Sequence, residues 1–114
     1  MRRGYLLYLE DILTSATRIQ NYAGNSSYED LIKDEMKIDA IIRNFEIIGE
    51  ASSNISHEIK EKYFFIEWRK VSDFRNILVH EYFGINYKIM WSIIKNKLPD
   101  LQKNIQIIIE KEKQ

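Results

Sequence analysis

Apolar residues recur along this chain at intervals of three and four, the spacing that puts side chains on one face of an α-helix. Between Tyr5 and Tyr22, Leu6, Leu9, Leu13, Ala16 and Ile19 share such a face and predict an amphipathic first helix. Gly24-Asn25-Ser26-Ser27 ends it. Ser26 or Ser27 is placed to cap a second helix, whose first turn carries Glu29 and Asp30, where the helix dipole favours negative charge. This second helix is expected to run to about Ser52, with Leu31, Ile38, Ile41, Phe45 and Ile48 forming its apolar seam. Gly49 falls within the seam, where a small residue lets a neighbouring helix approach closely.

A shorter helix is expected from roughly Ser56 to Tyr63, followed by a turn or packed loop at Tyr63-Phe64-Phe65. A fourth helix starts near Glu67 and turns Trp68, Val71, Phe74 and Leu78 inward. It should end between Tyr82 and Gly84, with Gly84 suited to a left-handed C-terminal cap. Asn86 can cap a last helix holding Ile89, Ile93, Leu98, Leu101, Ile105 and Ile108, which Pro99 should kink or divide in two. No strand pattern, repeat or low-complexity linker is visible. The expected fold is all-α, an antiparallel bundle of four to five helices.

At 114 residues the chain suits one domain, spanning 1–114, with one core. It has no cysteine, which excludes disulfides and thiolate metal sites and fits a cytoplasmic location. The apolar stretch after Arg2 and Arg3 stops at Glu10 and Asp11, so it does not read as a secretory signal. No apolar run reaches the ~20 residues of a membrane helix, and a soluble protein is expected. Seventeen basic residues balance seventeen acidic ones. A protein that coats nucleic acid usually carries a basic excess, so any RNA contact here must come from a local patch, and no DNA partner is implied.

The chemistry concentrates between Trp68 and Tyr82. On a regular helical wheel, Arg75 and Tyr82 fall inside the apolar arc of Trp68, Val71, Phe74 and Leu78. Asn76 and His80 share a more polar face with Arg69 and Asp73. A guanidinium turned into an apolar arc needs a counter-charge. Two readings are open: an ion pair with Glu46 or Glu50, or an anion site that grips phosphate. Histidine is the side-chain type that ordinarily changes charge near neutral pH, so His80 suits proton transfer to or from a ribose hydroxyl, although a lone histidine on a helix is more often a surface or core residue. Five residues turn a regular helix by roughly 140°, so Arg75 and His80 converge only if the helix loosens before His80 or two subunits share a cleft.

The segment Arg75-Asn76-Ile77-Leu78-Val79-His80-Glu81-Tyr82 resembles the signature of HEPN domains, and its Arg-x4-His-x-Tyr form resembles the HepT-like subgroup. Asp39 to Ala51, Ile66-Glu67-Trp68 and Leu98-Pro99-Asp100-Leu101 are similar to segments of that subgroup, in the same order. One departure is Glu67, which stands where a proline is expected before the tryptophan. The resemblance implies a metal-independent endoribonuclease without cofactor, acting on RNA as a homodimer with two motifs lining one cleft. It implies Arg75 and His80 as the catalytic pair, with Asn76 supporting the geometry. It further implies a toxin–antitoxin pair, in which a minimal nucleotidyltransferase silences the toxin by adenylylating Tyr82. The alternative is a non-enzymatic helical partner of such a nucleotidyltransferase, with Tyr82 an ordinary core residue.

The remaining clusters read as structure. His57 with Glu58 and Glu61 suggests a solvated helix face rather than a metal site. Asp30 with Asp34 and Glu35 with Asp39 suggest surface charge, and Tyr5, Tyr8 and Tyr22 suggest packing rather than base stacking. Ile105, Ile107, Ile108 and Ile109 exceed the needs of one helix face, so part of this segment is expected at a subunit interface.

Overall fold

The structure, a computed structural model, describes residues 2–80 and 84–114, with the side chains of residues 2, 3, 79 and 80 outside the description. The fold is all-α. Helix α1 spans Arg2–Ala23, α2 Tyr28–Lys33, α3 Glu35–Ser53, α4 His57–Lys62, α5 Trp68–Ser72 and α6 Phe74–Leu78. Strands β1 (Val79–His80) and β2 (Gly84–Ile85) pair antiparallel, and then come α7 (Tyr87–Ser92), a π-helical segment (Ile93–Lys97) and α8 (Leu98–Lys113). Helix α1 packs chiefly against α3 and then α8, while α5 and α6 lie on α3.

The core follows the apolar seams. Leu9, Ile12, Ala16 and Ile19 of α1 meet Ile38, Ile41, Phe45 and Ile48 of α3, and Leu98, Leu101, Ile105 and Ile108 of α8 close the same cluster. Phe45 meets Phe74 edge to face, tying α6 to α3. Gly49 serves close approach as expected: a methyl group there would sit 2.9 Å from the Ser72 carbonyl oxygen. Beside it the Ser52 and Ser72 hydroxyls pair at 2.8 Å.

Two expected caps form, and a third joins them. Ser27 and Asn86, as expected, and also Ser56 accept from the backbone N–H groups of Asp30, Ile89 and Ile59 respectively. The long second helix is instead two, because Asp34 takes an extended conformation and its carboxylate caps α3 at the Lys37 N–H. The expected fourth helix also divides, at Asp73, and stops at Leu78 rather than near Tyr82. The Leu78 carbonyl accepts from Asn86, turning the chain into the short ladder that pairs Val79 with Ile85 and His80 with Gly84. Gly84 does adopt a positive φ of 75°, but in this ladder rather than as a helix cap.

Pro99 sits in the first turn of α8, directly after the π-helical segment. In the π-helical register just before it, the Leu98 N–H reaches the Ile93 carbonyl. Continued one residue, that register would aim the absent Pro99 donor at the Ile94 carbonyl, and the Gln20 amide of α1 donates there at 3.0 Å.

Near the C-terminal end of α8, Glu112 ties three elements together. Its carboxylate accepts from Tyr5 of α1 at 2.7 Å, from Lys62 of α4 at 2.8 Å and from the Tyr63 hydroxyl. These donors hold the Glu112 carboxyl down at about 2, the Lys62 bond being the largest cause. Among the described residues no helix is long and apolar enough to cross a membrane. Ile105, Ile108 and Ile109 are buried within the chain itself and only Ile107 of that group is exposed, so the isoleucine excess is mostly consumed by the core.

Candidate active site

The site residues ride on the most fragmented part of the fold. Arg75 and Asn76 belong to α6, a helix of five residues, and β1 begins directly after it. The wheel placed Arg75 in the apolar arc, and the structure corrects this. Because the helix divides at Asp73, Phe74 and Leu78 take the inward positions while Arg75 points outward, with 53% of its side chain exposed. Its Nε lies 3.3 Å from the Glu46 carboxylate, itself 35% exposed. The ion pair expected with Glu46 or Glu50 is therefore real and uses Glu46. It sits at a groove mouth, where such a pair contributes about 0.2–1 kcal/mol. Solvation thus removes the desolvation penalty that a core position would have imposed on Arg75.

Asn76 is held by Asp73, which accepts from its side-chain amide at 2.7 Å. His80 is placed by backbone alone, in β1 opposite Gly84. Its side chain, and the whole of Tyr82, lie outside the described residues. The helix does stop before His80, as convergence with Arg75 within one chain requires, so the roughly 140° offset of a regular helix does not apply.

Arg75 opens onto a polar groove of about 280 Å³ between α3 and the α5–α6 pair. One wall is a strip of α3, with Arg43, Glu46, Glu50 and Ser53; the other carries Ser72, Arg75 and Asn76. The opposite side of α5 and α6 faces a larger, mainly apolar groove of about 380 Å³ that includes Phe65, Val71, Phe74, Ile89 and Leu101. The polar strip of α3 is also marked in the sequence: Arg43, Glu46, Glu50 and Ser53 recur at three, four and three, opposite the apolar seam.

His57 pairs with Glu61 at 2.8 Å on an exposed face, as expected, and among the described residues no group of three His, Asp or Glu is placed to hold a metal ion. Asp34 proves to be a helix cap rather than free surface charge. Tyr8 and Tyr22 pack against the core, as does Tyr5, whose hydroxyl reaches Glu112.

Comparison with known proteins gives one consistent result. The family described as "Ribonuclease HepT-like" matches residues 12–108. A protein of Caldanaerobacter subterraneus subsp. tengcongensis, provisionally named an RNase, is 40% identical over 106 residues, covering 93% of this chain and 95% of its own. One of Methanocaldococcus jannaschii, also provisionally named an RNase, is 37% identical over 107 residues, covering 94% of this chain and 98% of its own. The "Probable ribonuclease HepT" of Thermococcus cleftensis is 36% identical over 102 residues, covering 90% of this chain and 93% of its own. No solved structure matches the chain.

Proposed function

The chain belongs to the HepT-like ribonuclease family, and on that premise we propose that it is a metal-independent endoribonuclease, one domain over 1–114, working in the cytoplasm as a homodimer. The observation that carries this reading is Arg75: a half-exposed guanidinium at the mouth of a polar groove, five residues before His80 in a chain whose helix ends between them. Such a guanidinium can exchange a weak carboxylate contact for a phosphate, which it grips through two parallel hydrogen bonds.

The chemistry follows from the residue types. His80 of one subunit takes the proton of a ribose 2′-hydroxyl as its oxygen attacks the adjacent phosphorus. The bond to the 5′-oxygen breaks, and the second subunit's copy of the same histidine protonates the leaving oxygen. Cyclic phosphate and 5′-hydroxyl ends result. Arg75 offsets the charge that builds on the phosphoryl oxygens, and Asn76, tied to Asp73, keeps α6 in register beneath it. In this reading the protein is the toxin of a toxin–antitoxin pair. A minimal nucleotidyltransferase silences it by placing AMP on Tyr82, adding bulk and negative charge where RNA phosphate must arrive.

The test is direct. Purified dimer should cleave RNA in the presence of a chelator and leave cyclic phosphate ends, and His80→Ala should lower the rate by about 10²–10⁴. Full activity in that variant would sink the proposal.

A further inference from the structure

We propose that the groove beside Arg75 is a base-reading subsite that selects guanine in the nucleotide flanking the cut, an inference that rests on the ribonuclease reading above. Its charges point to a base rather than to a second phosphate. Arg43 and Arg75 are balanced by Glu46 and Glu50, so the groove as a whole offers a free anion no net attraction. What it offers is donors and acceptors side by side in a cleft that the guanidinium assigned to the scissile phosphate itself lines.

Two of the four charged groups are already engaged with each other, Arg75 with Glu46. The other two are spare. Arg43 and Glu50 are exposed and make no side-chain hydrogen bond or ion pair among the described residues. They lie seven residues apart on α3, two turns or roughly 10 Å along the axis, and both line the same groove. A flat ligand lying along α3 between them meets a guanidinium at one end and a carboxylate at the other.

Guanine is the base with the matching edges. Its N7 and O6 are adjacent acceptors, the pair that an arginine fork grips in bidentate fashion, while its N1 and N2 hydrogens face a carboxylate. Adenine puts a donor beside N7 and repels the fork, cytosine carries its N4 donor and its N3 and O2 acceptors together on one edge, and uracil presents a single N3 donor between two acceptors. In single-stranded RNA both edges of the base are free to be read this way.

The experiment uses oligonucleotides with one cleavable ribose linkage, differing only in the bases flanking it. The intact dimer should favour guanine at one flanking position by about tenfold in kcat/KM. In Arg43→Ala, Arg43→Lys and Glu50→Gln the preference should collapse to about twofold or less, since lysine lacks the bidentate fork. Cleavage of the adenine substrate should fall far less than that of the guanine one. Both positions are exposed, and thermal melts check that folding is kept. Equal rates on all four bases, or a guanine preference that survives every variant, would overturn the subsite. If the wild-type protein cleaves none of them, the ribonuclease reading fails separately, and titration with GMP and AMP decides the subsite. Tighter GMP binding that Arg43→Ala abolishes sustains it, and equal binding of the two nucleotides rejects it.

Discussion

Glu112 and Glu46 each face a cation on a neighbouring helix, yet the two ion pairs do opposite work. Glu112 is 9% exposed and accepts from Lys62, Tyr63 and Tyr5, so its acceptor sites are filled by three donors, from α1 and from the end of α4. Glu46 is 35% exposed and meets only Arg75 among the described residues. The first carboxylate closes a knot, whereas the second leaves both partners able to exchange. A charge pair thus marks structure or function according to how many other partners surround it and how far water is excluded.

The largest separation between the two regions should appear when the cation of one and the carboxylate of the other are removed. Arg75→Ala is expected to lower RNA cleavage by about 10²–10³, the usual loss when a group stabilising transition-state charge is deleted. Its melting temperature should move little, because an exposed pair contributes at most about 1 kcal/mol. Cleavage assays beside thermal melts check both halves. A large loss of stability with unchanged kinetics would mean that Arg75 belongs to the structural class after all.

Glu112→Gln should behave in the reverse way, costing about 1–3 kcal/mol by leaving charged and hydroxyl donors poorly matched, with cleavage per folded molecule unchanged. The same knot predicts a pH effect. The Glu112 carboxyl lies below its ordinary 4.5, at about 2, in the folded chain. A depressed folded value stabilises the protein fully above the unfolded value, and the contribution is lost as pH falls from about 4.5 toward about 2. Denaturant midpoints measured across that window should fall more steeply in the wild type than in Glu112→Gln. Parallel curves would break the assignment.

How much of this was legible in the sequence depends on range. The starts of α2 and α7 were readable because a cap is a contact over three residues: Ser27 to Asp30 and Asn86 to Ile89. The apolar seams of α1, α3 and α8 were readable from their period, as was the close approach at Gly49. The division at Asp34 was not, since an aspartate inside a helical pattern looks the same whether it caps or faces water. The outward turn of Arg75 was missed for a related reason. A wheel assumes unbroken rotation, and the helix breaks at Asp73 and ends at Leu78, where a carbonyl is claimed by Asn86 from beyond the ladder. The Glu112 knot joins residues 107 apart, and no local pattern encodes such a contact. For the candidate site the residue types were visible early, while the groove that gives Arg75 its setting needed α3 brought alongside.

The smallest expected effect sharpens the comparison furthest. Glu46→Gln removes the charge facing Arg75 but keeps the shape of the side chain. If the pair were structural in the manner of Glu112, the change would resemble Glu112→Gln in size. If it is a contact held in reserve for phosphate, stability should shift by no more than about 0.5–1 kcal/mol. RNA binding, measured in a His80→Ala background to prevent cleavage, should tighten, because the incoming phosphate no longer competes with a carboxylate for the same guanidinium. The size of that gain falls with added salt, as it must for exposed charges. Weaker binding in Glu46→Gln would instead identify Glu46 as the group that orients Arg75 toward the phosphate. The two ion pairs would then differ in what they hold rather than in whether they hold.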